Sequence, residues 1–267
     1  MKISIVIVSW NVKDLLQKCL NSIINNPLYE LTETFVVDNA SKDGSAEMVK
    51  EKFPQINLIA SDKNLGFAKG NNVALKKCTG DYILFLNPDT EIFTDTLQKS
   101  VEFMAQNPNC GIMGCKMLYG DKSFQPSVRR FPSLWPIFLM LIKAPKIFKK
   151  IKAIDRYMAT DFDYNKAQEV DQVMGAYMFV KKEVIDRVGA FDERFFYWFE
   201  EVDFCLRVKK AGFKIMYDPK TIIIHHGGKS FAQQKTINNQ KIFFQSAFKY
   251  FMKNNFTKKY GETKDNS

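Results

Sequence analysis

Residues 1–24 read MKISIVIVSWNVKDLLQKCLNSII. Ile3–Ser9 is almost wholly apolar and rich in β-branched side chains, as in a strand covered on both faces. Val12–Ile24 then switches to helical spacing through Leu15, Leu16, Cys19, Leu20 and Ile23. Between the two stands SWNVKD, without a glycine. A strand that passes to a helix without a glycine-rich turn argues against a dinucleotide-binding Rossmann unit.

The alternation continues outward. Thr34–Asp38, Asn57–Ala60 and Tyr82–Asn87 read as strands, and Gly44–Phe53, Gly66–Lys77 and Thr94–Gln106 as helices. This order predicts an α/β fold with a mostly parallel central sheet, right-handed crossovers and flanking helices. Ligands of such sheets sit beyond the carboxyl ends of the strands. There the chain places its polar residues: Ser9–Asn11, Asp38–Ser41 and Asn87–Asp89. Residues 119–168 break the rhythm, and Pro126, Pro132, Pro136 and Pro145 rule out one long helix. They read as an insertion between a first half (1–115) and a second half (170–235). In the latter, VMGAYMFV (173–180) is strand-like, a helix covers about Glu200–Ala211, and strands follow near Lys214–Tyr217 and Thr221–His225. Residues 236–267 form an aromatic, basic helix, over Ile237–Lys253, and a tail.

Composition narrows the function. The five cysteines are scattered with no CxxC spacing, so neither a zinc knuckle nor a disulfide framework is expected, and a reduced cytosol fits. No run approaches the roughly 20 apolar residues that span a bilayer, and the start lacks the features of a secretory signal. The net charge of +10 is uneven: residues 129–156 carry +7 and residues 229–267 carry +6, so the remainder sums to −3. These basic segments are interleaved with Trp135, Phe138, Phe148, Phe243, Phe244, Phe248 and Phe251, which suits an anionic membrane surface. They lie apart from the strand-end residues and carry no nucleic-acid motif, so no nucleic-acid partner is expected. Gly228-Lys229-Ser230 matches only the end of a P-loop, after a late strand.

Five segments carry chemistry: VDNASKDGS (37–45), NLGFAKGNN (64–72), GDYILFLNPDT (80–90), FEEVDFCLR (199–207) and IIIHHGGKS (222–230). Asp38 ends a buried-type strand, where a carboxylate needs a partner. Ser41 and Asp43 fit a helix-capping turn equally well. Gly66 can take a positive φ and let backbone approach a ligand. Asp89 sits on a proline-stiffened turn at a strand end, where a carboxylate can offer an oxygen to a divalent ion. His225 ends a strand, and His226 points to the opposite face. Glu200, Glu201 and Asp203 open a helix, where acids favour the dipole and Asp203 pairs with Arg207 at i,i+4. Clustered acids also raise one another's pKa, which suits a general base.

In order and spacing these segments resemble the family 2 glycosyltransferases of the GT-A fold, most of all bacterial rhamnosyltransferase-like members with NPD in place of DxD. The resemblance runs from Ile3 to Ser230. It implies an inverting transferase moving a sugar, L-rhamnose among the candidates, from a dTDP- or UDP-sugar to an acceptor hydroxyl. The acceptor would be a glycan or lipid-linked glycan of bacterial surface polysaccharide synthesis, met by a cytoplasmic enzyme on the inner face of the membrane. It further implies a divalent metal, Mg2+ or Mn2+, held by Asp89 and His225. Donor binding falls to Ser9, Asn11, Asp38, Asn39, Asn64, Gly66, Asn87 and Asp89, with Asn87 hydrogen-bonding where relatives have an acid. Lys229 and Ser230 stand where the diphosphate would be met, and Trp198 where an acceptor sugar would lie. Glu201 occupies the position of the catalytic base, usually aspartate, with Glu200 and Asp203 as neighbouring acids. Two other readings stay open. A nucleotidyltransferase would release pyrophosphate and carry a glycine-rich basic loop after the first strand; a non-catalytic carbohydrate-binding protein would bind donor without turnover.

Overall fold

The fold grows from β1, whose odd and even residues serve opposite cores. Ile3, Ile5 and Ile7 pack on one side of the sheet, and Val6 and Val8 on the other, as a two-residue repeat requires. The computed structural model describes residues 1–142, 144, 150–227 and 236–254. The first half runs β1 (Ile3–Ser9), α1 (Lys13–Ile24), β2 (Thr32–Asp38), α2 (Ser45–Lys52), β3 (Asn57–Ala60), α3 (Gly66–Leu75), β4 (Tyr82–Leu86), β5 (Thr90–Ile92), α4 (Thr96–Gln106) and β6 (Cys110–Leu118). Next come β7 (Phe124–Gln125), β8 (Val128–Arg129), α5 (Leu134–Leu141), α6 (Lys152–Tyr157), β9 (Gln168–Glu169) and β10 (Gln172–Val173). The chain continues through β11 (Tyr177–Lys181), α7 (Lys182–Val188), α8 (Glu200–Lys210), β12 (Lys214–His225) and α9 (Thr236–Lys253).

The main sheet has the order β3-β2-β1-β4-β11-β6-β12-β5. Its first four strands are parallel. β11 then runs antiparallel to both β4 and β6, β6 and β12 are parallel, and β5 closes the edge antiparallel. Leu16, Leu20, Met48, Leu97 and Met104, from α1, α2 and α4, fill one face; Ala68, Val184, Phe204 and Val208, from α3, α7 and α8, fill the other. A third cluster joins the outer side of α8 to α5 and α9 through Ile137, Phe199, Leu206 and Tyr250.

The structure departs from the sequence reading in three places. β6 was not anticipated, because CGIMGCKML carries two glycines. Those glycines permit close approach: an added Cβ at Gly114 would lie 2.4 Å from a Val173 methyl, and one at Gly111 2.8 Å from Phe213 Cβ. Of VMGAYMFV, only the part from Tyr177 onward pairs with β4, while Val173 belongs to β10. The two late strands are one, β12, interrupted between Asp218 and Ile222. There the Asp218 carboxylate accepts from Thr221 N (3.0 Å) and Thr221 Oγ1 (2.7 Å), which stabilises the irregularity. All five cysteines are free and buried. Burial pushes the Cys78 thiol up to about 11 and those of Cys110 and Cys205 to about 12. Among the described residues no helix is long and apolar enough to cross a membrane.

Candidate active site

Ser9 and Asp38 are register partners at the carboxyl ends of β1 and β2, and both are buried. Asp38 Oδ2 accepts from Ser41 N at 3.0 Å. Asp38 Oδ1 and Ser9 Oγ have no hydrogen-bond partner among the described residues. A buried polar atom left unpaired costs roughly 1–3 kcal/mol, so this pair is suited to a ligand's polar groups. Asn11, at φ +52°, pins the two loops together: its N donates to Ser41 Oγ (3.0 Å) and its Oδ1 accepts from Lys42 N (2.7 Å). Asp43 caps the turn instead, accepting from Lys13 N and Ser45 N.

The loop before α3 meets a different partner from the one expected. Gly66 has φ +78°, and an added Cβ would lie 2.4 Å from Phe196 O. Its close approach is therefore to the protein's own 195–199 segment, and Phe67 N donates to the same carbonyl at 2.8 Å. Asn39 is occupied here as well: its Nδ2 donates to Gly66 O (3.1 Å) and its Oδ1 accepts from Leu65 N (3.3 Å). Asn64 Oδ1 accepts from Gly66 N at 2.9 Å, with Tyr197 Oη 3.5 Å away. These side chains brace the loop beside the Asp38 end of the sheet.

Beyond β4, Asn87 N donates to Ala176 O, tying the NPD turn to the entry of β11. Asp89 and His225 are both buried, with His225 Nε2 3.4 Å from Asp89 Oδ1. Asn87 Nδ2 also lies 3.4 Å from that nitrogen. On its other side His225 Nδ1 lies 3.0 Å from Gln125 Oε1, a residue the sequence did not single out. His226 points away, as the strand period requires, to Glu91 Oε1 at 2.6 Å, while its N donates to Asp89 O.

The acidic triplet opens α8 after two consecutive left-handed residues, Trp198 (φ +62°) and Phe199 (φ +69°). Such backbone costs roughly 1–3 kcal/mol per residue and persists only where packing enforces it. Here Phe195, Tyr197 and Phe199 are buried, and Trp198, half-buried, packs edge-on against Phe243. Most of the aromatic run is thus core, with Phe196 exposed. Asp203 is fully buried and ion-paired to Arg207 Nε (2.9 Å) and Lys253 Nζ (2.7 Å), which ties α8 to α9. Burial, and then the charge of Glu201, lifts the Glu200 carboxyl well above the usual glutamate range. Burial raises Glu201 as well. One oxygen of each glutamate lacks a partner among the described residues. Glu201 is the half-buried one, turned toward Gly175, where an added Cβ would lie 3.8 Å from Glu201 Cβ and 3.6 Å from Phe67 Cζ. Since Ala176 holds Asn87 and Phe67 follows Gly66, the three groups share one end of the sheet. Gly228, Lys229 and Ser230 lie outside the described residues.

Comparison with known proteins bears on the family and the fold. Residues 4–178 match the model of glycosyl transferase family 2. Rhamnosyltransferase WbbL of Escherichia coli is 28% identical over 264 residues, covering 94% of this chain and 90% of its own length. The N-acetylglucosaminyl-diphospho-decaprenol L-rhamnosyltransferase of Mycobacterium tuberculosis is 24% identical over 202 residues, covering 72% of this chain. The chain spans 65% of that relative's length. Among solved structures, mannosyltransferase PcManGT from Pyrobaculum calidifontis, in complex with GDP-Man and Mn2+, superposes with a TM-score of 0.60 at 18% identity, over 96% of this chain and 70% of that one. S. aureus TarS with UDP-GlcNAc gives a TM-score of 0.58 at 17% identity, over 88% of this chain and 62% of that one. At such identities the likeness is one of fold, the GT-A fold. With more than half its length matched by the family model, the chain belongs to glycosyl transferase family 2.

Proposed function

We propose that this glycosyltransferase moves a sugar, with inversion, from a nucleoside-diphosphate donor to a hydroxyl of a lipid-linked glycan. The observation that carries the reading is one of unmet polar groups. Asp38 with Ser9 and Asp89 with His225 are buried pairs, and buried Glu200 stands beside half-buried Glu201, all at one end of the sheet; the Asp38–Ser9 and Glu200–Glu201 pairs hold acceptor atoms without partners among the described residues. Asp38 and Ser9 suit the base and ribose of the donor. Asp89 and His225 suit a divalent cation: a carboxylate oxygen and an imidazole nitrogen stand 3.4 Å apart, and a diphosphate and waters complete such a site. Among the described residues no third His, Cys, Asp or Glu joins them. A cation bound there supplies positive charge against the departing diphosphate.

Glu201 takes the acceptor proton. As the acceptor oxygen bonds to the anomeric carbon, the bond from that carbon to the diphosphate oxygen breaks, and the nucleoside diphosphate leaves. A raised carboxyl pKa brings a base closer to operating pH. Rhamnose from a dTDP-sugar is the first donor to test, given two relatives named as rhamnosyltransferases. The mycobacterial relative's name also specifies a polyprenol-linked acceptor. A membrane surface would present such an acceptor. α5 and α9, which pack together, expose Trp135 (60%) and Phe138 on one and Phe244 and Phe248 (57%) on the other.

The test is a donor screen that reads nucleoside diphosphate release, with and without Mn2+ or Mg2+. Glu201→Gln should lower transfer ~100-fold while donor binding survives. Asp89→Ala should lower it by a similar ~100-fold. Full activity of both variants, or binding of every donor without turnover in the wild type, would overturn the reading.

A further inference from the structure

Gln125 stands a hundred residues from His225, in a two-residue strand. β6 pairs with β7 on one side and with β12 on the other, and Met117 is the register partner of both Gln125 and Ile223. His225 follows Ile223 by two residues, so Gln125 and His225 share a sheet face, and Gln125 reaches the imidazole across the end of β6. Both side chains are buried, with Gln125 Oε1 3.0 Å from His225 Nδ1.

An amide oxygen only accepts. In the neutral ring, with Oε1 facing it, the imidazole proton sits on Nδ1, and Nε2 then presents its lone pair toward Asp89 Oδ1, 3.4 Å away. Two acceptors turned toward each other in a buried site repel unless a cation lies near them. Among the described residues the donor beside Nε2 is Asn87 Nδ2, at a long 3.4 Å. If the amide were reversed, the proton would move to Nε2, point at Asp89, and close the lone pair. The choice between the two tautomers is therefore made at Gln125.

We propose that Gln125 is a positioning residue that fixes His225 as the Nδ1–H tautomer, holding Nε2 open toward Asp89 for a divalent cation. The inference rests on the metal role proposed above for His225, and it names the side chain that prepares the ring for it. Partners of this kind orient a histidine ligand and raise its basicity; losing one typically costs ~10–100-fold in metal affinity.

The chain has only two histidines, so 15N imidazole spectra of the labelled, full-length protein contain two rings, and the His226→Gln variant assigns them. In metal-free wild type the His225 ring should show Nδ1 protonated and Nε2 unprotonated. Gln125→Glu, which still accepts, should keep that pattern. Gln125→Met should shift the ring toward Nε2–H. Mn2+ binding, followed by electron paramagnetic resonance with and without dTDP or UDP, should weaken ~10–100-fold in Gln125→Met and stay within a few-fold in Gln125→Glu. Circular dichroism checks that both variants fold. An Nε2–H ring in wild type, or an unchanged ring in a folded Gln125→Met, overturns the proposal. If Gln125→Met does not fold, the wild-type spectrum and Gln125→Glu decide it. The expected tautomers without any Mn2+ binding would instead remove the metal reading and leave the assignment of Gln125 standing.

Discussion

Replacing Gly66 by alanine adds one methyl group at the seam between the loop that enters α3 and the segment that leads into Glu200 and Glu201. A β-carbon on left-handed backbone costs roughly 1–2 kcal/mol, offset by ~0.4–1 kcal/mol from the stiffer unfolded chain. Gly44 isolates that part. It has φ +80°, and an added Cβ would meet only the flexible end of Lys13, at 3.2 Å. Gly44→Ala should therefore cost about 1 kcal/mol. At Gly66 (φ +78°) the same carbon would fall 2.4 Å from Phe196 O and 2.7 Å from Phe196 Cδ2. A carbonyl cannot swing aside as a lysine does, so overpacking adds ~1–3 kcal/mol. At ~2–4 °C per kcal/mol for a domain of this size, the melting temperature should fall ~2–4 °C for Gly44→Ala and roughly 4–16 °C for Gly66→Ala. Because Phe196 leads directly into the strained pair at 198–199, sugar transfer should also fall in Gly66→Ala at temperatures where both variants are folded. Scanning fluorimetry and nucleoside diphosphate release measure the two effects. Equal melting losses, or undiminished transfer by Gly66→Ala, would refute the reasoning.

Glu200 has a folded-state pKa above its unfolded value, so its contribution to stability is present below the unfolded pKa and lost as pH rises through the folded one. Glu200→Gln should match wild type in melting temperature near pH 4 and exceed it at about pH 8; a gain confined to acid would contradict the assignment. Lys253→Met leaves buried Asp203 with Arg207 alone and should cost about 2 kcal/mol in urea unfolding, less than the ~3–5 kcal/mol of a pair broken outright. Phe244→Ser combined with Phe248→Ser removes two outward rings without touching the inward contacts of α9. It should lower sedimentation with anionic vesicles by ~10-fold or more while leaving the circular dichroism unchanged; equal binding by the wild type to neutral vesicles would count against a membrane role.

The parallel half of the sheet was legible because β1, β2 and β4 are short apolar runs that end in polar residues, and a strand end is where a parallel sheet exposes function. The same logic singled out Asp38 and Asp89 as candidates, and the fold puts the first at the end of β2 and the second in the turn after β4. What stayed hidden depended on contacts distant in sequence. β6 needed the knowledge that Val173 and Phe213 press against Gly114 and Gly111. The i,i+4 pairing of Asp203 with Arg207 was readable, but its second cation, Lys253, comes from another helix. Gly66 announced a positive φ without saying what would lie against it. Along α9 a run of aromatics gave no sign of which turn inward. Phe251 and Tyr250 do so, Phe244 and Phe248 do not, and Phe148 lies outside the described residues.

The five buried thiols give the molecule an internal stopwatch. They are spread over α1, β6, α8 and the turn after α3, and all are buried, with Cys78 the most exposed at 9%. A colourless disulfide reagent should stay colourless with native enzyme, and colour should develop only as fast as each region opens. The same silence makes the native background suitable for single-site labelling. A cysteine placed at position 244 or 248 would be the one reactive thiol, so a polarity-sensitive dye there could report contact with a lipid surface without removing any natural cysteine.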